Sequence, residues 1–189
     1  MRVITGKYKG RVLSSVRDNS VRPATDRVKG TIFNVLQSRL RISNAHVLDV
    51  FAGSGSLGFE ALSRGAADVV FVDDRRAVLD MIERNAETLG CVDASILIQS
   101  DAMRFIEQTQ DQFDLIFADP PYAYERMGEI PTLIFQRRLL KNEGFLIIEH
   151  AKRTIFESTP LYRIAVQKEF GNTRLSFFTH NIDGVLNTP

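Results

Sequence analysis

Asp49-Val50-Phe51-Ala52-Gly53-Ser54-Gly55-Ser56-Leu57-Gly58 is the stretch that decides the fold. Val47 to Phe51 reads as a buried strand, and Ser56 to Arg64 as a helix stopped at Gly65. Between them Gly53, Gly55 and Gly58 satisfy G-x-G-x-x-G at a strand-to-helix turn. Glycines let a backbone approach a ligand closely, and a helix N-terminus offers N–H groups without intrahelical partners. The same rhythm continues downstream. Strands are expected at Val69 to Asp73, Ser95 to Gln99, Phe113 to Ala118 and Phe145 to Glu149. Helices fall between them, from about Ala77 to Leu89, near Ala102 to Gln108 and near Ile130 to Leu140. Strands alternating with helices imply right-handed crossovers and a parallel sheet covered on both faces. After Pro160, Leu161 to Phe170 and Arg174 to Thr179 flank the turn pair Gly171-Asn172. The expectation is a doubly wound α/β fold, a mostly parallel seven-stranded sheet finished by an antiparallel C-terminal hairpin.

A glycine turn of this kind, with Asp73 about 20 residues on, points to an adenosine-containing cofactor whose ribose hydroxyls meet that carboxylate. Asp74 is the lesser candidate. Two further acids distinguish the cofactors. Asp49 lies four residues before the first glycine, where a pyrophosphate-binding loop has no use for a carboxylate but an amino-acid ammonium does. Asp101 and Ala102 close the third strand, where a side chain and a backbone N–H can address an adenine edge; Asp101 also suits a helix N-cap. This set, with Phe51, Gly53, Ser54 and Gly55 in the turn, favours S-adenosylmethionine over a nicotinamide dinucleotide.

The fourth predicted strand delivers Asp119-Pro120-Pro121-Tyr122. In an open parallel sheet, ligands bind outside the carboxyl ends of the strands. Two prolines stiffen the loop and withhold two N–H donors. A carboxylate, outward carbonyls and a flat ring can together grip a planar amine.

The 189 residues include one cysteine, so no internal disulfide forms, which fits a reducing cytoplasm. Cys91 reads as a packed thiol. His46, His150 and His180 lack metal-ligand spacing. No apolar run is long enough to span a bilayer. The net charge of +1 hides an asymmetry: residues 1–41 hold ten Lys and Arg against two Asp, a net +8, and the remainder is net −7. A basic arm on an acidic body is the footprint of a polyanion binder. Residues 2–14 suggest a hairpin whose basic loop carries Lys7, Tyr8, Lys9 and Arg11, with Tyr8 offered for stacking. Residues 15–24, ending in Arg22-Pro23, read as a loop. A helix capped by Thr25 or Asp26 is expected to run to about Leu40, with Arg27 and Lys29 in its first turn.

At this point the sequence resembles the class I S-adenosylmethionine-dependent methyltransferases. More narrowly, it resembles the RsmD family, bacterial guanine-N2 methyltransferases of 16S ribosomal RNA. GKYKGRVL, RPATDRVKGTIFNVL, DVFAGSGSLGFEALSRGA, FADPPY and GNTRLSFF carry the likeness over nearly the whole chain. It departs at Thr5, where the family usually has Gly, at Asp73, often Glu, and at Arg75, where an acid is common. The resemblance implies methyl transfer to an exocyclic amine, with Asp119, Pro120, Pro121 and Tyr122 catalytic. It implies a basic extension, 1–41, binding RNA through Lys7, Tyr8, Lys9, Arg11, Arg22 and Arg27, ahead of a methyltransferase domain, 42–189. The expected partner is ribosomal RNA or the assembling small subunit, met by a cytoplasmic monomer without metal or membrane attachment. An adenine-N6 methyltransferase and a non-catalytic RNA-binding assembly factor are the rival readings.

Overall fold

The computed structural model describes residues 1–15, 25–121 and 123–181. Seven strands form one sheet in the order β3-β2-β1-β4-β5-β7-β6. β1 (His46–Val50), β2 (Asp68–Asp73), β3 (Ser95–Gln99), β4 (Phe113–Ala118) and β5 (Leu140–Ala151) are parallel. β7 (Thr173–His180) runs antiparallel between β5 and β6 (Tyr162–Phe170). α1 (Asp26–Gln37) precedes the sheet; α2 (Ser56–Ser63), α3 (Arg76–Leu89), α4 (Ala102–Gln108) and α5 (Glu129–Gln136) join its parallel strands.

The alternation of side chains along each strand divides the core in two. Val47, Phe71, Leu115, Phe117 and Ile147 pack with α1, α2 and α3. Leu48, Val50, Val72, Ile116, Ala118 and Ile148 pack with α4 and α5. Helices on both faces are what make near-continuous apolar strands stable.

Residues 1–15 share the first of these cores. Val3, Tyr8 and Leu13 lie in the same apolar cluster as Ile32, Phe33 and Phe117. The expected hairpin is reduced to one bridge, Arg2 with Val12. Its turn is fixed from below by α2. Fully buried Glu60 accepts the N–H groups of Ile4 at 2.8 Å and Thr5 at 3.0 Å, and Ser63 Oγ accepts that of Tyr8 at 2.9 Å. Gly6 makes this approach feasible: at φ +86° a Cβ there would lie 1.8 Å from the Ser63 carbonyl oxygen. On α3, Asn85 exchanges two hydrogen bonds with the Ser14 backbone, at 2.9 and 3.1 Å.

Two expected helix ends shift. α1 stops at Gln37 rather than near Leu40; Lys29 in its first turn is buried. Its ammonium donates to the Arg2 carbonyl and lies 3.6 Å from Asp26 Oδ1; burial pushes its pKa below the usual lysine range. α5 ends at Gln136 rather than near Leu140, Arg138 beyond it takes φ +56°, and β5 starts at Leu140 rather than Phe145.

Candidate active site

The strand order reverses between β1 and β4, the place where doubly wound sheets open a ligand crevice. Val50 of β1 pairs with Ala118 of β4, so the glycine turn and Asp119 leave the sheet side by side.

In the glycine turn Gly53 has φ +51° and Gly55 has φ +69°. Phe51 is also at positive φ, +68°, an unusual conformation for a bulky residue and one that clusters at functional sites. Its ring meets Tyr124 edge-on at 5.0 Å. Gly58 packs α2 onto β2: a Cβ there would lie 2.3 Å from the Phe71 ring. Gly55, at the N-cap of α2, has no side chain to cap the helix. Buried Asp49 supplies the missing acceptor, taking the Gly58 N–H at 3.0 Å. Burial, with Asp73 adding a like charge, still pushes the Asp49 carboxyl up to about 8.

Asp73, 7% exposed, closes β2. One oxygen accepts the Gly53 N–H at 3.0 Å; the other accepts the Arg75 N–H at 3.1 Å and Nε at 3.2 Å. Asp101 caps α4 through the Arg104 N–H at 2.9 Å and is exposed, with Ala102 buried behind it. Tyr124 sits within the field of Asp101 as well as against Phe51. The turn, Asp73, Asp101 and Tyr124 therefore follow the carboxyl ends of β1, β2, β3 and β4 in turn.

Asp119 is partly buried, and Pro120 is buried beside exposed Pro121. The Pro121 carbonyl accepts the Tyr124 N–H at 2.9 Å. Burial, then the like charges of Glu149 and Asp49, push the Asp119 carboxyl well above the usual carboxylate range. Perturbed carboxyls in a crevice are the pattern of a functional site. Tyr122 and Arg22 lie outside the described residues.

Of the basic loop, Lys7, Lys9 and Arg11 are exposed. Tyr8 is not offered for stacking, contrary to the sequence expectation: it is 9% exposed, its body in the core, with the Lys7 ammonium 5.2 Å from its ring. Arg27 is exposed and lies 5.5 Å from the Phe170 ring. Sequence reading missed Glu149 and Tyr124. Tyr124 had a signal in its place just after Asp-Pro-Pro; Glu149 had only its being an acid closing the apolar run FLII.

Among the described residues, no group of His, Cys, Asp and Glu could hold a metal ion. Cys91 is packed in the core, and burial raises its thiol pKa. His150 is buried between the Ala151 carbonyl and Ser176 Oγ, apart from His46 and His180. No helix among the described residues is long and apolar enough to cross a membrane.

A doubly wound sheet with this strand order, an antiparallel β7 and a glycine turn beside an Asp-Pro-Pro loop defines a class I methyltransferase. The chain belongs to the family described as "Conserved hypothetical protein 95", whose model matches residues 1–179; this is the RsmD family that the sequence resembles. The chain is 37% identical over 155 residues to "Ribosomal RNA small subunit methyltransferase D" of Haemophilus influenzae, covering 80% of this chain and 79% of the relative. The protein of that name from Escherichia coli is 37% identical over 149 residues, covering 79% and 74%. Among solved structures, "Putative methyltransferase yhhF from Escherichia coli" superposes with a TM-score of 0.84 at 31% identity, covering 96% of this chain and 98% of that one.

Proposed function

We propose that this protein transfers the methyl group of S-adenosylmethionine to the exocyclic N2 amine of a guanine in 16S ribosomal RNA. The observation that carries the reading is the pairing of Val50 with Ala118, which brings the glycine turn and Asp119 out of adjacent strands at the sheet's reversal point. The names of the ribosomal RNA methyltransferase relatives support the substrate class.

The residues present fit the cofactor. Burial pushes the carboxyl of Asp49 up to about 8, and an ammonium group beside it would favour the ionised form. Asp73 closes β2 where ribose hydroxyls are expected, and Phe51, Ser54 and the loop glycines form the wall beside it. Asp101 and Ala102 stand at the adenine position. When bound, the cofactor would supply a methyl group on a positively charged sulfur; the amine lone pair would form the new N–C bond as the S–C electron pair returns to sulfur, and the proton lost from nitrogen would pass to the Asp119 carboxylate.

An aryl amine is a weak nucleophile because its lone pair is delocalised into the ring. The Asp119 carboxylate and the Pro120 carbonyl accept its hydrogens, letting the nitrogen pyramidalise and aim the lone pair. The Pro121 carbonyl is committed to Tyr124, which leaves Pro121 the role of stiffening the loop. Tyr122 stacks on the base. Positioning supplies most of the acceleration, and the carboxylate steadies positive charge developing on nitrogen. The base must leave its stack to enter. Residues 1–41 serve as the RNA-facing extension of the catalytic region 42–189, and Lys7, Lys9, Arg11, Arg22 and Arg27 meet phosphates. The substrate is ribosomal RNA, free or in the assembling small subunit, and the enzyme acts in the cytoplasm as a monomer.

The test is transfer of labelled methyl to small-subunit RNA from cells lacking this protein, followed by nucleoside identification. N2-methylguanosine is expected; label in N6-methyladenosine, or none, overturns the reading.

A further inference from the structure

Three carboxylates stand on one face of the sheet. In β4, Leu115 and Phe117 face the core under α1, α2 and α3, while Ile116 and Ala118 face the other way. In β5, Phe145 and Ile147 share the first face, and Leu146 and Ile148 the second. Side chains alternate along a strand, so Asp119 and Glu149 both continue the first face. Ala118 is in register with Ile148, which puts the two acids level with each other on neighbouring strands, about 4.8 Å apart along the sheet. By the same parity Asp49 of β1 is on this face, level with Phe117. The order across the sheet is therefore Asp49 on the cofactor side, Asp119 in the middle, Glu149 on the far side. Glu149 is partly buried, and among charged groups it acts most strongly on Asp119.

We propose that Glu149 selects guanine, its carboxylate accepting the N1–H of the base whose N2 amine lies against Asp119 and the Pro120 carbonyl. This rests on the guanine-N2 reading above. The Watson–Crick edge of guanine presents N1–H and the N2 amine as adjacent donors. An ionised carboxylate is an acceptor only. Two carboxylates side by side, one strand apart, match two donors side by side. Adenine places an acceptor, its N1, next to its amine. With N6 at Asp119, adenine N1 would set its lone pair against the Glu149 oxygens, acceptor against acceptor. A site built to hydrogen-bond a donor rejects the analogue lacking it far more strongly than shape alone does. Asp119 thus holds any exocyclic amine, and the choice of base falls to the next strand.

The decisive probe is 2-aminopurine, which keeps the 2-amine but has an acceptor at N1. Once the methylated guanine has been mapped, small-subunit RNA carrying guanine or 2-aminopurine at that position is offered to the full-length wild-type enzyme and to Glu149→Gln. Cofactor affinity of the variant is measured in parallel. The wild type is expected to prefer guanine by at least about 10²-fold in kcat/KM. Glu149→Gln, whose amide can donate to N1, is expected to bind cofactor normally and bring the two substrates within about tenfold. Wild type that methylates both equally overturns the assignment without reference to any variant. So does a Gln variant that binds cofactor and keeps the wild-type ratio. Native product found at adenine N6 sinks the guanine-N2 reading itself, and this inference with it.

Discussion

The carboxyl group of Asp49 accepts the Gly58 N–H at 3.0 Å, so one buried acid caps α2 at the place where we propose that the cofactor's ammonium binds. Its carboxyl, normally near 3.8, is pushed up to about 8, chiefly by burial. The sign follows from linkage. Between those values the folded protein holds a proton that the unfolded chain has lost, so this group's contribution to stability falls as pH rises from about 3.8 to about 8. Asp49→Asn keeps an acceptor for Gly58 and removes that cost. Near neutral pH it is expected to be more stable by roughly 1–2 kcal/mol, a rise of a few degrees in Tm, while cofactor affinity falls at least about tenfold. In the wild type, affinity should climb with pH up to about 8, with proton release on binding below that. Calorimetry in buffers of different ionisation heat checks it; a variant that melts lower yet binds cofactor normally would contradict the assignment.

Arg75 holds one Asp73 oxygen through two hydrogen bonds. In the proposed cofactor site a ribose competes for that oxygen. The Arg75 side chain is 42% exposed, so the ion pair itself is weak. Arg75→Ala is expected to tighten cofactor binding about two- to fivefold, the equivalent of about 0.4–1 kcal/mol. Weaker binding would mean that Arg75 itself contacts the cofactor.

The turn at Gly6 lies against the last turn of α2. A Cβ there would meet the Ser63 carbonyl oxygen at 1.8 Å, and backbone cannot yield as a flexible side chain can. Gly6→Ala is expected to cost roughly 2–4 kcal/mol and to lower Tm by about 5–10 °C. An unchanged melting curve would show that the turn can lift from α2 without loss.

Lys7, Lys9 and Arg11 are exposed on that turn, whose backbone is anchored by Glu60 and Ser63. Each phosphate contact removed should flatten the dependence of log affinity on log salt by about 0.7–0.9. The triple alanine variant is therefore expected to lose about two units of slope or more, with cofactor affinity intact. A slope within error of wild type assigns RNA binding to another surface.

The sheet was legible because its signals are local. Alternating strands and helices, Gly53, Gly55 and Gly58 at a strand end, and Gly171-Asn172 between two strands each need only a few neighbouring residues. What went unread depends on distant partners. Lys29 looks like one more charge in a basic segment, but the Arg2 carbonyl, 27 residues away, draws it inside. Tyr8 looks like a free ring beside lysines until α2 rises beneath it through Ser63, 55 residues on. Glu149 is one acid closing an apolar strand. Only the register of Ile148 with Ala118 brings it level with Asp119.

That register has a measurable consequence at Asp119. In the proposed mechanism the form that holds the amine is the carboxylate, while burial and the charges of Glu149 and Asp49 favour the protonated form. Methyl transfer should therefore be weak in acid and rise with pH as Asp119 ionises, then level off. Glu149→Gln removes the larger of the two like charges and should move this rise to lower pH, a shift that loss of packing alone would not produce. Asp119→Asn cannot ionise: transfer is expected to fall at least about 10²-fold at every pH, with cofactor affinity held within about threefold. Loss of cofactor binding in Asp119→Asn would move this carboxylate from the acceptor side of the crevice to the cofactor side. A pH profile that Glu149→Gln leaves in place would separate the two acids in function despite their shared level on the sheet.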